Sequence, residues 1–392
     1  MKKRAPELAD ELKCTGCMAC IASCRVGALS SFWADDGHKY VRLDAEKCIS
    51  CLRCETVCKN ALSFTGNNNL SMSSPYAAWA CDEELRSAST SGGVAAALCK
   101  WFAANGAGAA GVSFDGRRAS YVMITNPSEV SLIQGSKYVW SDTEGIYRMI
   151  EERLEQGKVL FAGTGCQAAG VAAYFADHKN RKNLYLADLI CGGVPSDHLM
   201  EVFFKTNPEL VAVKSFRNKR KYELKGELNG KEVTFPASAL PISGFCAEQT
   251  IRNSCFNCPF SYAHRPVDIT FGDLWGIDSF GEETERGISL VLVHDGRGRE
   301  MIKSAGIHTV ELSWQNILRM NGRLVFGETP RTFLRNRLAR NFSHMSLTRF
   351  SETYSMISGP GNPEGFIARL YLHFLRKLYA RKFRMRIKSI FG

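Results

Sequence analysis

The chain has 392 residues, 45% of them hydrophobic, so it can bury a large core, and its length predicts two or three domains. It contains no apolar run of about eighteen residues, and its start, MKKRAPELADELK, lacks an apolar stretch, so we expect a cytoplasmic protein that is neither exported nor membrane-spanning. The net charge of +11 does not indicate nucleic-acid binding, because the excess of Lys and Arg is concentrated after Gly365.

Two near-copies of one cysteine pattern, C-x-x-C-x-x-C-x-x-x-C, open the chain and are offset by 34 residues. In two-cluster bacterial ferredoxins, three thiolates of such a run hold one 4Fe–4S cluster and the fourth reaches the other. By this rule the first cluster takes Cys14, Cys17, Cys20 and Cys58, and the second takes Cys48, Cys51, Cys54 and Cys24. Zinc ribbons are the alternative, although neither run has a histidine at ligand spacing.

The cysteine module is predicted to span residues 1–66, and the polar stretch TGNNNLSMSSP (65–75) separates it from a second texture. From Tyr76 onward, strand-like apolar runs feed glycine turns and then helical stretches, which is typical of an α/β domain with a partly parallel sheet. We expect a mixed α+β or α/β fold with this domain in two halves, 76–213 and 214–335, followed by a helical, basic tail at 336–392. Within the second half, KYELKGELNGKEVTFP predicts a hairpin with Asn-Gly at its turn.

A polar helix head near residue 90 is a candidate anion site. Hydroxyls and free backbone N–H groups at a helix N-terminus bind phosphate, although such residues are also common as simple caps. A polar loop with one cation and a second glycine turn add to this candidate cofactor site, whose residues are Ser89, Ser91, Gly92, Gly93, Lys137 and Thr164.

Four further cysteines are predicted to meet at the carboxyl ends of strands. Cys166 follows the strand VLFAG inside a glycine turn, Cys191 follows YLADLI, and Cys255 and Cys258 form a C-x-x-C pair. We interpret them as ligands of a third 4Fe–4S cluster. The alternative is that Cys166 and Cys191 are small core residues and that the pair is a dithiol or half of a zinc site.

A path through three clusters needs a two-electron cofactor at its end, and flavin, as FAD, is the natural converter between one-electron clusters and hydride chemistry. At the other end of the chain, the apolar stripe and eight basic residues after Gly365 predict an amphipathic helix. This helix would contact an anionic membrane surface or a partner protein, or else pack on its own domain.

The motifs SxSxSGGV, GSKY, VLFxGTxCQxAG, DLICxGVPS and RxSCxxCxF, followed by the run from Arg265 to Gly276, occur here in one order. In that order the chain resembles the beta-subunit family of coenzyme F420-reducing hydrogenases and dehydrogenases, with an N-terminal two-cluster ferredoxin module. The resemblance implies an FAD-containing α/β domain, a third cluster on the four later cysteines, and flavin-side roles for Ser91, Gly92, Gly93 and Lys137. The chain departs from the family pattern at Gly165, where proline is usual, and at Gly192, where histidine is common.

Our functional hypothesis is an iron–sulfur flavoprotein oxidoreductase that moves electrons between ferredoxin-type clusters and FAD, with a deazaflavin- or nicotinamide-like acceptor. The resemblance also allows a link to surface-polysaccharide metabolism. Expected partners are ferredoxin or another redox protein and a small-molecule or protein acceptor. The alternatives are an electron-transfer subunit without a substrate of its own and a ferredoxin-linked disulfide reductase.

Overall fold

The computed structural model describes residues 4–64, 66–219, 221–236, 239–247, 250–276, 279–315 and 317. The basic tail predicted for 336–392 lies outside these residues. Among the helices described, none combines the length and the apolar character needed to cross a membrane.

The N-terminal module contains two helices and a hairpin: α1 (Ala19–Ser23), β1 (Leu29–Trp33), β2 (Lys39–Leu43) and α2 (Arg53–Ser63). β1 and β2 pair antiparallel. The residue before each helix, Met18 and Leu52, has a left-handed backbone with φ of 58° and 59°. These two residues are 34 positions apart, so the repeat seen in the sequence is also a repeat of backbone conformation.

A nine-stranded mixed sheet forms the centre of the molecule. Its strands are β3 (Ser74–Ala80), β4 (Gly108–Phe114), β5 (Ala119–Ile124), β6 (Ser141–Asp142), β7 (Val159–Thr164), β8 (Leu184–Leu189), β12 (Ile269–Asp273), β13 (Ser289–Val293) and β14 (Ile307–Glu311). Their order is β14-β3-β13-β12-β8-β7-β4-β5-β6. The central strands β12, β8, β7 and β4 run parallel, as the β-turn-α texture predicts.

A separate antiparallel sheet of three strands consists of β9 (Leu210–Asn218), β10 (Lys221–Leu228) and β11 (Lys231–Phe235). The turn between β10 and β11 is Asn229-Gly230, with φ of 51° and 74°. Positive φ at both positions is the signature of the turn that matches strand twist in short hairpins. The predicted hairpin is therefore confirmed.

The helices of the main body are α3 (Glu83–Ser87), α4 (Val94–Ala104), α5 (Ile146–Leu154), α6 (Gly165–Tyr174), α7 (His198–Thr206), α8 (Leu240–Ala247), α9 (Glu282–Arg286) and α10 (Gly296–Ser304). α4 and α10 pack in one core of the large sheet and α5 and α6 in another, whereas α7 and α8 pack with the three-stranded sheet. Short 3-10 turns lie at Leu70–Met72, Pro127–Ile133, Arg181–Asn183 and Asn253–Phe256. The overall fold is mixed α/β with an N-terminal ferredoxin-like region, as predicted.

The N-terminal module shares a hydrophobic core with the main body. Ala19 of α1 and Val57 of α2 are buried in the same cluster as Val171 of α6 and Ile150 of α5. Both module helices pack against α6. Since burial of apolar surface is the main stabilising term in folding, the module and the main body stabilise one another.

Candidate functional site

The structure brings together the cysteines that the ferredoxin rule assigns to the first cluster. Cys20 is buried, and burial raises the pKa of its thiol well above the ordinary value; charges on Cys17, Cys58 and Cys14 raise it further. Burial likewise raises the pKa of Cys17 to about 11, and charges on Cys14 and Cys58 add to the effect. Four thiols that interact in this way lie close together, although Cys58 is 44 residues from Cys14 in the sequence.

The second set lies nearer the surface. Burial raises the pKa of Cys54, and charges on Cys24 and Cys51 contribute to that rise. Cys51 is exposed, and the neighbouring Ile49 is 56% exposed. Cys24 of the first run thus acts on Cys54 of the second, and the exposure makes this set the outer one; its assignment as a ligand set, with Cys48, stays a prediction.

The structure also brings together the third set of cysteines, from three separate segments. Burial raises the pKa of Cys166 well above its ordinary value, and charges on Cys255, Cys258 and Cys191 raise it further. Burial raises the pKa of Cys255 to about 12, with contributions from Cys191 and Cys258. The parallel neighbours β7 and β8 end at one edge of the sheet and place Cys166 and Cys191 there.

The local structure around Cys166 differs from the predicted glycine turn. Gly163 and Thr164 belong to β7, and Cys166 lies in the first turn of α6. Thr164 caps this helix together with Gln167, and its hydroxyl lies 3.2 Å from the Sγ of Cys166. Thr164, predicted to bind the cofactor, therefore adjoins the third cysteine set.

The three sets offer cysteine thiols, the ligand type that holds 4Fe–4S clusters. Among the described residues, no three His, Cys, Asp or Glu side chains form a group that could hold a single metal ion. Because burial raises the pKa of several thiols, assembly of a cluster must displace their protons.

The first and third sets are adjacent across α6. A Cβ atom on Gly170 would lie 2.7 Å from the Cβ and 2.9 Å from the Sγ of Cys17. Gly170 is one helical turn after Cys166, so the two residues share a face of the helix. Tyr147 and Thr143 also hold this contact, because their hydroxyls donate to the carbonyl oxygen of Cys17 at 2.6 Å and 3.0 Å.

A surface pocket lies at the same edge of the sheet as the third set. Its lining includes Thr90, Ser91, Arg217, Asp273 and Trp275. Arg217 forms a bidentate ion pair with Asp273, with Nη1–Oδ2 at 2.6 Å and Nη2–Oδ1 at 2.8 Å.

The register between β8 and β12 places one wall of this pocket beside the third cysteine set. Leu189 of β8 pairs with Phe271 of the parallel strand β12. Asp273 and Cys191 each follow two residues later, at the carboxyl ends of adjacent strands. Ligands of α/β sheets collect at such ends.

The predicted cofactor residues near the head of α4 make different contacts. Ser91 lines the pocket, and its hydroxyl donates to the carbonyl oxygen of Ile288 at 2.9 Å. The Gly92 N–H donates to Ser289 Oγ at 3.1 Å, and Gly93, with φ of 79°, is the residue before α4. Ser89 donates to the carbonyl oxygen of Leu85. The polar helix head therefore borders the pocket, and its role in cofactor binding stays a prediction.

Lys137 is placed differently from the serines. Its ammonium donates to the carbonyl oxygens of Ile133 and Gln134, both at 2.8 Å, at the end of a 3-10 turn. Burial lowers the pKa of Lys137 to about 7. Lys137 is absent from the lining of the pocket described above. A flavin-side role for Lys137 stays a prediction.

A buried polar network that the sequence did not reveal lies behind the third set. Asp188 is paired with Arg265, whose Nη1 is 3.0 Å from Oδ2, and it accepts a hydrogen bond from Thr270. The Thr270 hydroxyl lies 2.8 Å from Nε2 of His294, whose Nδ1 is 2.7 Å from Ser73 Oγ. Burial lowers the pKa of His294 well below its ordinary value, and the nearby His264 and Arg265 lower it further.

We expect His294 to make the protein sensitive to mild acid. The pKa of His294 in the folded protein lies below the unfolded value near 6.5, so the unfolded chain is protonated at His294 first as the pH drops. The free energy of unfolding therefore decreases as the pH drops below about 6.5. The loss should approach about 1.4 kcal/mol per pH unit. Urea unfolding of His294→Gln between pH 7 and 5.5 should show a smaller decline than the wild type. The exposed His308→Gln is the control, and equal declines in H294Q and the wild type would contradict the assignment.

Comparison with known proteins agrees with this architecture. Residues 75–147 and 156–313 match the models for the N-terminal and C-terminal parts of the coenzyme F420 hydrogenase/dehydrogenase beta subunit, and residues 13–61 match a 4Fe-4S dicluster domain. A chain from a xenon-derivatized F420-reducing [NiFe] hydrogenase complex of Methanosarcina barkeri is similar in structure, with a TM-score of 0.46, 16% identity, and coverage of 76% of this chain and 98% of that chain. No curated protein sequence matches. The chain therefore belongs to the coenzyme F420 hydrogenase/dehydrogenase beta-subunit family and carries a 4Fe–4S dicluster domain at its N-terminal end.

Proposed function

We propose that this chain is a cytoplasmic iron–sulfur flavoprotein oxidoreductase that moves electrons between a ferredoxin-type partner and a soluble low-potential acceptor, of the deazaflavin or nicotinamide type. The observation that carries the proposal is the convergence of Cys166, Cys191, Cys255 and Cys258 beside the first cysteine set. When bound, 4Fe–4S clusters supply one-electron steps, and FAD converts these to two-electron chemistry. The link to surface polysaccharides rests on the family resemblance alone.

The placement of the cysteine sets supports an order for the path. The outer set, with Cys51 and Ile49 exposed, is the side open to a redox protein. Cys17 of the first set contacts α6, which begins beside Cys166. Electrons would therefore enter or leave the chain at the outer set and cross α6 to reach the main body.

The pocket at the sheet edge is the proposed flavin site. Thr90 and Ser91 line the pocket just before α4, whose first backbone N–H groups have no side-chain cap and favour an anion such as a phosphate. Trp275 supplies an aromatic surface. The ion pair between Arg217 of β9 and Asp273 of β12 joins the two sheets at the wall of the pocket. The pocket has an empty volume of about 310 Å³, which suits only part of FAD, so these residues would hold one end of the cofactor.

The proposal is tested by purifying the protein without oxygen and measuring its cofactors. Three 4Fe–4S clusters and one flavin predict about twelve iron atoms and about one FAD per chain. Reduction by ferredoxin, followed by a screen of deazaflavin, nicotinamide and disulfide acceptors, would then identify the substrate class. Iron near eight without flavin would instead support a simple electron-transfer subunit.

A further inference from the structure

A buried arginine joins the N-terminal module to the segment that carries Cys255 and Cys258. Arg252 is 1% exposed and lies three residues before Cys255. Its Nε donates to the carbonyl oxygen of Cys14 at 2.7 Å, and its Nη2 to the Sγ of Cys14 at 3.4 Å. A Cβ atom on Gly16 would lie 2.9 Å from its Nη1. The guanidinium therefore lies directly against the loop that begins the first cysteine set.

The remaining contacts that the described residues make with Arg252 are to neutral groups. Nη2 also donates to the carbonyl oxygen of Lys39 at 2.9 Å, and the ring centroid of Tyr40 lies 4.2 Å from the guanidinium carbon. Nη1 is buried and has no hydrogen-bond partner within the described part of the chain. A buried charge without a partner is costly, and a donor left without an acceptor adds to that cost.

Other deeply buried arginines of the described structure are each paired with a carboxylate, and Arg252 is the exception. The pairs are Arg86 with Glu283, Arg217 with Asp273 and Arg265 with Asp188. No described carboxylate forms an ion pair with Arg252. A cluster held by four thiolates carries net negative charge, and its sulfurs accept hydrogen bonds. Such a cluster would therefore supply both the charge and the acceptor that Arg252 lacks.

We propose that Arg252 is a positioning residue that sets the reduction potential of the first cluster, the one assigned to Cys14, Cys17, Cys20 and Cys58. Reduction adds one electron, taken from the one-electron redox partner, and makes the cluster more negative. A fixed cation that donates to Cys14 Sγ stabilises the reduced state more than the oxidised state and so raises the potential. This inference rests on the proposed function, because it requires that the first cysteine set holds a cluster.

The test is an anaerobic redox titration of the full chain, followed by electron paramagnetic resonance. Replacement of Arg252 by glutamine should lower the potential of the first cluster most, so that its reduced-to-oxidised ratio at a fixed potential falls at least about tenfold, or about 59 mV for one electron. The third cluster should shift less, because the charge of Arg252 also acts on Cys255 but its described hydrogen bond goes to the Sγ of Cys14. The potential of the outer cluster should stay near the wild-type value. Arg86→Gln is the matched control, because Arg86 is as buried but contacts Glu283 and Gly287 instead of a cysteine.

The outcomes separate this inference from the proposed function. Wild-type protein without three reducible clusters would contradict the proposed function. R252Q with full iron content and unchanged potentials would overturn only the role of Arg252. If R252Q loses the first cluster, the charge-retaining variant R252K tests whether the charge is responsible. R252K should recover the cluster, and its failure to do so would show that Arg252 acts only through packing.

Discussion

Replacement of Cys166 by serine is expected to lower the iron content from about twelve to about eight atoms per chain, because it removes one ligand of one four-iron cluster. Cys166 lies in the first turn of α6, where charges on Cys255, Cys258 and Cys191 all act on its thiol. The two N-terminal clusters should remain, because their cysteines belong to other segments. The effect is measured by iron analysis of the anaerobically purified variant and by its low-temperature electron paramagnetic resonance spectrum.

Cys99→Ser is the matched control for this experiment. Cys99 is fully buried in α4, and the rise of its thiol pKa has burial as its only cause. The control therefore makes the same substitution in a buried cysteine that has no thiol partner of this kind, and it should keep about twelve iron atoms. Full iron content in C166S would contradict the third cluster.

Replacement of Gly170 by alanine is expected to disturb the junction between the first and third cysteine sets. The added Cβ would approach both the Cβ and the Sγ of Cys17 and would lie 2.8 Å from the hydroxyl oxygen of Tyr147, so α6 and the cysteine loop must move apart. Overpacking of this kind typically costs about 1–3 kcal/mol. The urea midpoint should therefore fall, and electron transfer from the N-terminal pair to the main body should slow.

The rate of electron transfer from the N-terminal pair to the main body is measured by rapid mixing with a limiting amount of reductant. The mixture is frozen at set times and examined by electron paramagnetic resonance. Gly157→Ala provides the control, since a Cβ at Gly157 meets no atom within 4 Å. If the G170A and G157A variants show the same stability and the same transfer rate, the proposed route across α6 is wrong.

The local features of this molecule could be predicted from its sequence because their signals are local. Cysteine spacing gave the two N-terminal sets, and Asn229-Gly230 gave the hairpin. The helix at Cys166 also has a local signal: Thr164 and Gln167 form a capping box, which marks a helix start instead of the glycine turn that GTG predicts.

The contacts between segments could not be predicted in the same way. Arg252 and Cys14 are 238 residues apart, and Tyr147 and Cys17 are 130 apart. No periodicity or motif relates such positions, because their contact depends on how α1, α2 and α6 pack. The hydrogen bonds of Lys137 to the carbonyl oxygens of Ile133 and Gln134 likewise depend on a 3-10 turn, which has no clear sequence signature.

The shared core of the N-terminal module bears on how this chain could be cut or recombined. Ala19 and Val57 would be exposed to water in a fragment ending near residue 66, and Arg252 would be left in the remainder without the loop it contacts. A cut or a recombination at that linker would thus destabilise both fragments. Although the cysteine pattern is that of a two-cluster ferredoxin, an engineered chain should keep this module together with the helices and the Arg252 segment that it contacts.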